Sequence, residues 1–208
     1  MELHRKLKKE LPSVCLEIGG ADGPMTPMLE GMFDISFTTD YSMNFLKRIE
    51  EKTDRVICLH ADAHFLPLQD RSVDVVVCAE VLEHMSVPTQ LLTEIQRITK
   101  PDGFVLLSVP NESSLLSLGN MNRSLPARDT HINFFTPDTL QKLLFRTGLE
   151  VIECTTLMPP AGTIRKLLGN LLNFIRHGFR GQHIQCIARP MINPWLFWES
   201  FQRTINRD

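Results

Sequence analysis

The chain has no apolar run of about 18 residues, the length that a membrane-spanning helix needs, so no span is expected. Its opening residues, Met-Glu-Leu-His-Arg-Lys-Leu-Lys-Lys, lack the apolar core of a secretory leader, and the expectation is a cytoplasmic protein. There is no Cys-x-x-Cys pair and the number of cysteines, five, is odd, which argues against a structural zinc site or a disulfide framework. Cys15, Cys58, Cys78, Cys154 and Cys186 fall within or at the end of apolar runs, and read as small buried hydrophobes in a reducing compartment. Also missing is the Gly-x-Gly-x-x-Gly spacing of a dinucleotide loop. The glycine-rich stretch runs Gly19, Ala21, Gly23, with Pro24 where a glycine would be required, which argues against a nicotinamide-dependent oxidoreductase.

What is present has the composition of a globular protein: 208 residues, 43% hydrophobic and 22% charged, enough for one domain with a full core. The net charge of -2 is unevenly spread. Residues 1–160 carry 15 Lys+Arg against 22 Asp+Glu, whereas residues 161–208 carry 7 against 2. An acidic body gives no reason to expect a nucleic-acid partner. We divide the chain into a domain over residues 1–190 and an aromatic, basic tail over 191–208, where Pro194-Trp-Leu-Phe-Trp-Glu-Ser-Phe201 holds both tryptophans.

Apolar residues of strand character from Val14 run into Gly19, Gly20, Ala21, Asp22 and Gly23. Pro24 then opens an apolar-periodic segment, Met25, Met28, Leu29 and Met32. The pattern predicts strand, tight loop and helix, with the proline at the first helical position where a missing N–H costs nothing. An acid at Glu17, two residues before the first glycine, favours a cationic ligand over a phosphate.

A second short strand, Ile35–Asp40, ends in an acid, and Ser42 stands as a cap for a helix through Lys52. A third, Arg55–His60, leads into Ala61-Asp-Ala-His-Phe-Leu-Pro-Leu68. A fourth, Val73–Cys78, is almost all valine, as a parallel strand buried on both faces would be. It runs into Ala79-Glu-Val-Leu-Glu-His84. After Pro88 a helix places Leu91, Leu92, Ile95 and Ile98 on one face, and the turn Lys100-Pro-Asp-Gly103 precedes a strand over Phe104–Pro110. A long loop over 111–133 is read as part of an acceptor pocket. Thr136 caps a helix to Thr147 with Gly148 as its stop, and strands follow over 150–157 and 184–188.

These residues, in this order, resemble the class I S-adenosylmethionine-dependent methyltransferases, most closely the group that includes ubiquinone-biosynthesis O-methyltransferases. The family's loop is acidic-x-Gly-x-Gly-x-Gly; Glu17, Gly19, Ala21 and Gly23 sit on it, with alanine in place of the middle glycine. The resemblance, over residues 13–189, implies a Rossmann-like α/β fold: a doubly wound sheet, mostly parallel, with an antiparallel seventh strand and order 3-2-1-4-5-7-6. It implies S-adenosylmethionine as cofactor, bound by Glu17, Gly19, Gly20, Ala21 and Gly23. Asp40 and Tyr41 would hold the ribose side, Asp62 and Ala63 the adenine, with Cys78 and Ala79 at the end of the fourth strand.

The activity implied is transfer of the sulfonium methyl group to a small-molecule, sugar or lipid-linked acceptor, most readily at oxygen, by in-line displacement. The competing reading is a catalytically silent binding or scaffold subunit that kept the fold. His131 and His84 are the candidate proton acceptors, since histidine is the side chain that changes charge near neutral pH. His131 is equally readable as a loop histidine that holds the start of the next helix. Glu80 and His84, four apart, would share a face of a helical turn, but two donors without a third do not make a metal site, and no metal is expected. A stripe of Ile164, Leu167, Leu168, Leu171, Leu172 and Ile175 reads as a helix packed on its own domain or lying on a membrane or lipid substrate. The tail reads as packing on the domain, on a second subunit or on a bilayer interface; residues 161–208 admit peripheral membrane contact, and a homodimer stays open.

Overall fold

The computed structural model describes residues 14–23, 25–113, 131–157 and 183–191. The apolar stripe at 164–175, the aromatic tail, Pro24 and most of the loop after Glu112 lie outside the described residues.

Seven strands form one sheet: β1 (Val14–Ile18), β2 (Ile35–Asp40), β3 (Val56–His60), β4 (Val73–Ala79), β5 (Thr99–Pro110), β6 (Leu149–Leu157) and β7 (His183–Pro190). Their order is β3-β2-β1-β4-β5-β7-β6, with β7 antiparallel to both neighbours and the pairs from β3 through β5 parallel. The helices are α1 (Thr26–Leu29), α2 (Met43–Glu50), α3 (Pro88–Ile98) and α4 (Pro137–Arg146), with a 3₁₀ turn at Leu82–His84.

β4 is buried on both faces because layers cover each side. Val76 and Cys78 face the larger cluster built with Leu91, Leu92, Ile95 and Ile98 of α3 and Leu140 and Leu144 of α4, while Val75 and Val77 face a smaller one with Cys15 and Leu29. β1 alternates in the same way, so Leu16 and Ile18 join the first cluster, and Glu17 lies on the other side with Cys15. The cap of α4 is as expected: Thr136 and Thr139 form a reciprocal capping box, and Gly148 at φ +82° ends the helix.

Three local expectations are corrected. The helix after the glycine loop is a single turn, not a run to Met32, because Gly31 takes φ +72° within two residues of its end. Lys100–Gly103 is not a turn before a strand; β5 already starts at Thr99. Gly103 is required there by packing, since a Cβ on it would stand 2.7 Å from the Asp74 carbonyl oxygen. Ser42 occupies the cap position of α2, but its side chain makes no capping hydrogen bond.

Candidate functional site

The carboxyl ends of β1, β2 and β4 meet around the glycine loop. Gly19 and Gly20 donate backbone N–H bonds to the Thr39 carbonyl of β2 at 2.8 and 3.2 Å, which pins the loop against the neighbouring strand. A Cβ at Gly20 would come within 2.2 Å of Thr38 Oγ1, and one at Gly19 within 2.4 Å of Val81 Cγ2, so backbone alone fits at both. Ala21 takes φ +45°, the left-handed conformation of a glycine. Ala21 therefore holds a conformation that glycine favours despite its added methyl group.

Asp40 holds that geometry. Its Oδ2 accepts the Ala21 N–H at 3.0 Å and its Oδ1 accepts the Ser42 N–H at 2.7 Å, leaving each oxygen a further lone pair for an incoming hydroxyl. Glu17 is only 4% exposed, and one of its oxygens accepts from Thr26 Oγ1 at 2.6 Å and Thr38 Oγ1 at 2.9 Å. Burial raises its carboxyl above the usual range, against the pull of the two threonine bonds. It braces β2 and α1 behind the loop.

The second wall is the Asp62–Leu68 loop, fastened to α3 by Arg97. That guanidinium donates to the carbonyls of Leu66 and Leu68 and to Glu94 and Asp70, while Glu94 Oε2 accepts the Leu66 N–H. Asp62 accepts from the His64 backbone N–H and pairs with His64 Nδ1 at 2.7 Å, bonds that hold its carboxyl below the usual range. Tyr41, 79% exposed, and Phe65, 70% exposed, leave apolar surface uncovered beside these two walls. Ala63 and Ala79 are half-buried. Cys78 is fully buried in the larger cluster, so only its main chain is open to a ligand.

Past β4 the chain turns sharply at Glu80, which has φ +55°, a strained value for a residue with a side chain. The 3₁₀ turn is bolted to the segment before α4. The Glu83 carbonyl accepts the N–H groups of Ile132 and Asn133 at 2.9 and 3.0 Å, and Asn133 Nδ2 donates to the Met85 carbonyl at 2.7 Å. This brings His84 and His131, 47 positions apart in sequence, edge to face with ring centroids 4.8 Å apart. Glu83 lies beneath them, 1% exposed, with its Oε1 3.9 Å from His84 Nε2 and, among the described residues, no hydrogen-bond partner for either carboxylate oxygen. Burial pushes its carboxyl up to about 7.

Glu80 does not share a face with His84. Its Oε1 accepts from Ser108 Oγ at 2.8 Å and its Oε2 lies 3.2 Å from His183 Nδ1 at the start of β7. Burial pushes the Glu80 carboxyl up, but the His183 and Ser108 bonds outweigh it and hold the group below the usual range. The same contact raises His183. Among the described residues, the trio whose donor atoms converge within 4.8 Å is Glu83, His84 and His131 instead.

A family model described as "Methyltransferase domain" matches residues 2–154. The chain belongs to this methyltransferase family. A protein of Mycolicibacterium smegmatis named "probable S-adenosylmethionine-dependent methyltransferase" is 29% identical over 147 residues, covering 71% of this chain and 56% of that one. Malonyl-[acyl-carrier protein] O-methyltransferase of Marinomonas sp. is 30% identical over 145 residues, covering 67% and 54%. The chain thus spans about half the length of these curated relatives. Among solved structures, the fold matches a Haloferax volcanii methyltransferase determined in complex with the Trm112 methyltransferase activator (TM-score 0.69, 18% identity, 87% of this chain and 83% of that one). It also matches an S-adenosylmethionine-dependent methyltransferase of Archaeoglobus fulgidus (TM-score 0.60, 22% identity, 90% and 93%).

Within this methyltransferase fold the residues expected at the cofactor loop stand together, and so do His84 and His131. Three groups at the same sheet edge carry no clear signal of that place in the sequence: Glu83, Ser108 and His183. Glu83 lay in view within Glu80–His84 but reads as a polar surface residue. His183 sits one residue before the apolar run that marks β7, and only the antiparallel pairing of β7 with β5 carries it to Glu80.

Proposed function

We propose that the protein transfers the sulfonium methyl group of S-adenosylmethionine to an oxygen of a small-molecule or lipid-linked acceptor. The observation that carries this reading is the glycine loop clamped through Ala21 by Asp40, with the Asp62 loop as the opposite wall. The loop supplies bare backbone for the amino-acid end of the cofactor. Asp40 keeps lone pairs for the ribose hydroxyls, and Asp62 with the Ala63 N–H addresses the adenine edge. The methyl donor is already activated, so the protein's main tasks are alignment in line with the sulfur and exclusion of water.

An oxygen acceptor also gives up a proton, and the His84–His131 pair over the sheet edge is the group we assign to take it. The relative that acts on malonyl-[acyl-carrier protein] as an O-methyltransferase supports oxygen as the atom methylated. Retention of the glycine conformation at Ala21 favours a cofactor-binding enzyme over the silent scaffold. The excess of Lys+Arg over residues 161–208 supports contact with an anionic surface. No helix among the described residues is long and apolar enough to cross a membrane. Incubation with methyl-labelled S-adenosylmethionine and a panel of carboxylate, phenol and sugar acceptors tests the reading: label in an oxygen-linked product supports it, and cofactor binding with no transfer to any acceptor supports the scaffold.

A further inference from the structure

Cys154 of β6 and Cys186 of β7 stand directly opposite each other in the antiparallel pair. Side chains at such a position leave the same face of the sheet, with Cα atoms about 4.5–5.5 Å apart, inside the span a disulfide bridges. The Cys186 thiol donates to the Cys154 sulfur at 2.9 Å, although the two are 32 positions apart in sequence. Cys186 is fully buried against the larger cluster, and Cys154 packs on the edge of that cluster half-buried, within reach of a small solute.

We propose that Cys154 and Cys186 form a modification site that closes to a cross-strand disulfide on reaction with a peroxide. The Cys154 thiolate attacks one peroxide oxygen, the O–O bond breaks, and Cys154 sulfenic acid and hydroxide are left. The Cys186 sulfur then displaces the sulfenic oxygen, forming the S–S bond as the Cys186 proton leaves in water. Overall two thiols are oxidised, one peroxide is reduced and two waters are released. The division of roles follows from position. Cys154 is the accessible sulfur, and the hydrogen bond from Cys186 holds its thiol below the usual value, which favours the nucleophilic thiolate. Cys186 is raised by that same bond and by burial, and acts second as the resolving thiol.

The other three cysteines lie on β1, β3 and β4, and burial pushes all of them up, Cys78 to about 12. The disulfide joins the edge strand β6 to the strand that begins at His183, so the site is coupled through the backbone to the Glu80 contact. Transient disulfides of this kind are the ones a reducing compartment tolerates, because thiol reductants reverse them.

The test is stepwise addition of hydrogen peroxide to the full chain, followed by intact mass and non-reducing peptide mapping. The expected result is loss of two hydrogens at low peroxide, a linked peptide containing Cys154 and Cys186, reversal by dithiothreitol, and no earlier change at Cys15, Cys58 or Cys78. In Cys186→Ser, Cys154 is expected to accumulate as a sulfenic acid that dimedone traps. In Cys154→Ser, Cys186 is expected to stay reduced at the same dose. Oxidation of another cysteine first, or conversion of Cys154 to sulfinic acid in the unmodified chain without a linked peptide, overturns the proposal.

Discussion

The Asp40 carboxylate, at the end of β2, accepts the Ala21 N–H at 3.0 Å and so holds a non-glycine residue in the left-handed conformation at the centre of the glycine loop. One side chain thereby sets the loop, and it is the one we propose to hold the ribose hydroxyls. Asp40→Ala removes both an acceptor for hydroxyls and the loop's clamp. The expected loss of S-adenosylmethionine affinity is roughly 1.5–3 kcal/mol, about tenfold to a hundredfold. Equilibrium dialysis against labelled cofactor measures it, and unchanged affinity would remove Asp40 from the site.

Ala21 itself stores strain. A left-handed residue with a Cβ costs about 1–2 kcal/mol, of which glycine would return roughly 0.4–1 kcal/mol to the unfolded chain as entropy. Ala21→Gly is therefore expected to raise stability modestly, by up to about 1 kcal/mol, with cofactor affinity equal or tighter. Urea unfolding of both proteins, with and without cofactor, decides it; a less stable glycine variant would mean that φ +45° is unstrained here.

Glu83 predicts a pH dependence of stability. Its carboxyl rises from an ordinary 4.5 to about 7 in the fold, so between these values the native state holds more proton than the unfolded chain. Stability from this group is full below pH 4.5 and falls as pH climbs to 7, by about 3 kcal/mol in all. Glu83→Gln removes the titration. Its stability relative to the parent is expected to rise across that window and then level off, as followed by denaturant melts at pH 5, 6, 7 and 8. Parallel curves would show that Glu83 stays ionised.

Much of the fold is legible in the sequence because its strands bury both faces: the valine run of β4 and the apolar run of β1 have no other stable setting. The stripe of α3 and the Thr136 cap of α4 are local signals, and they hold. The helix after the loop is overread because the methionines and leucine at 25, 28, 29 and 32 keep helical spacing past the point where Gly31 breaks the backbone. The Glu80–His84 spacing misleads for a related reason. Glu80, at φ +55°, lies before the 3₁₀ turn of Leu82–His84 and not on one helix with His84, so the two do not stack and Glu80 turns instead to Ser108 and His183. The convergence of His84 with His131 depends on Asn133 and the Glu83 carbonyl, tertiary contacts with no sequence period.

His131→Ala is expected to bind cofactor as the parent does and to lose roughly 10²- to 10⁴-fold in turnover, the range for a positioned general base. Rapid-quench measurement of methyl transfer to an identified oxygen acceptor reads it. Full turnover would return His131 to the role of holding the start of α4.

Acidic liposomes in low salt are expected to sediment with the full chain, and the association should fade as salt rises, because the excess of Lys+Arg lies beyond residue 160. Absence of lipid-dependent pelleting at low salt would leave the 164–175 stripe as a helix packed on its own domain.

We propose the Asp40-clamped loop as an S-adenosylmethionine site. Isothermal titration of the purified full chain with S-adenosylhomocysteine tests it without knowledge of the acceptor. Saturable binding of one molecule per chain is expected, weakened at least tenfold in Asp40→Ala, with no heat from nicotinamide dinucleotides. Absence of binding by a folded chain, or equal binding of a nicotinamide dinucleotide at the same loop, would contradict it.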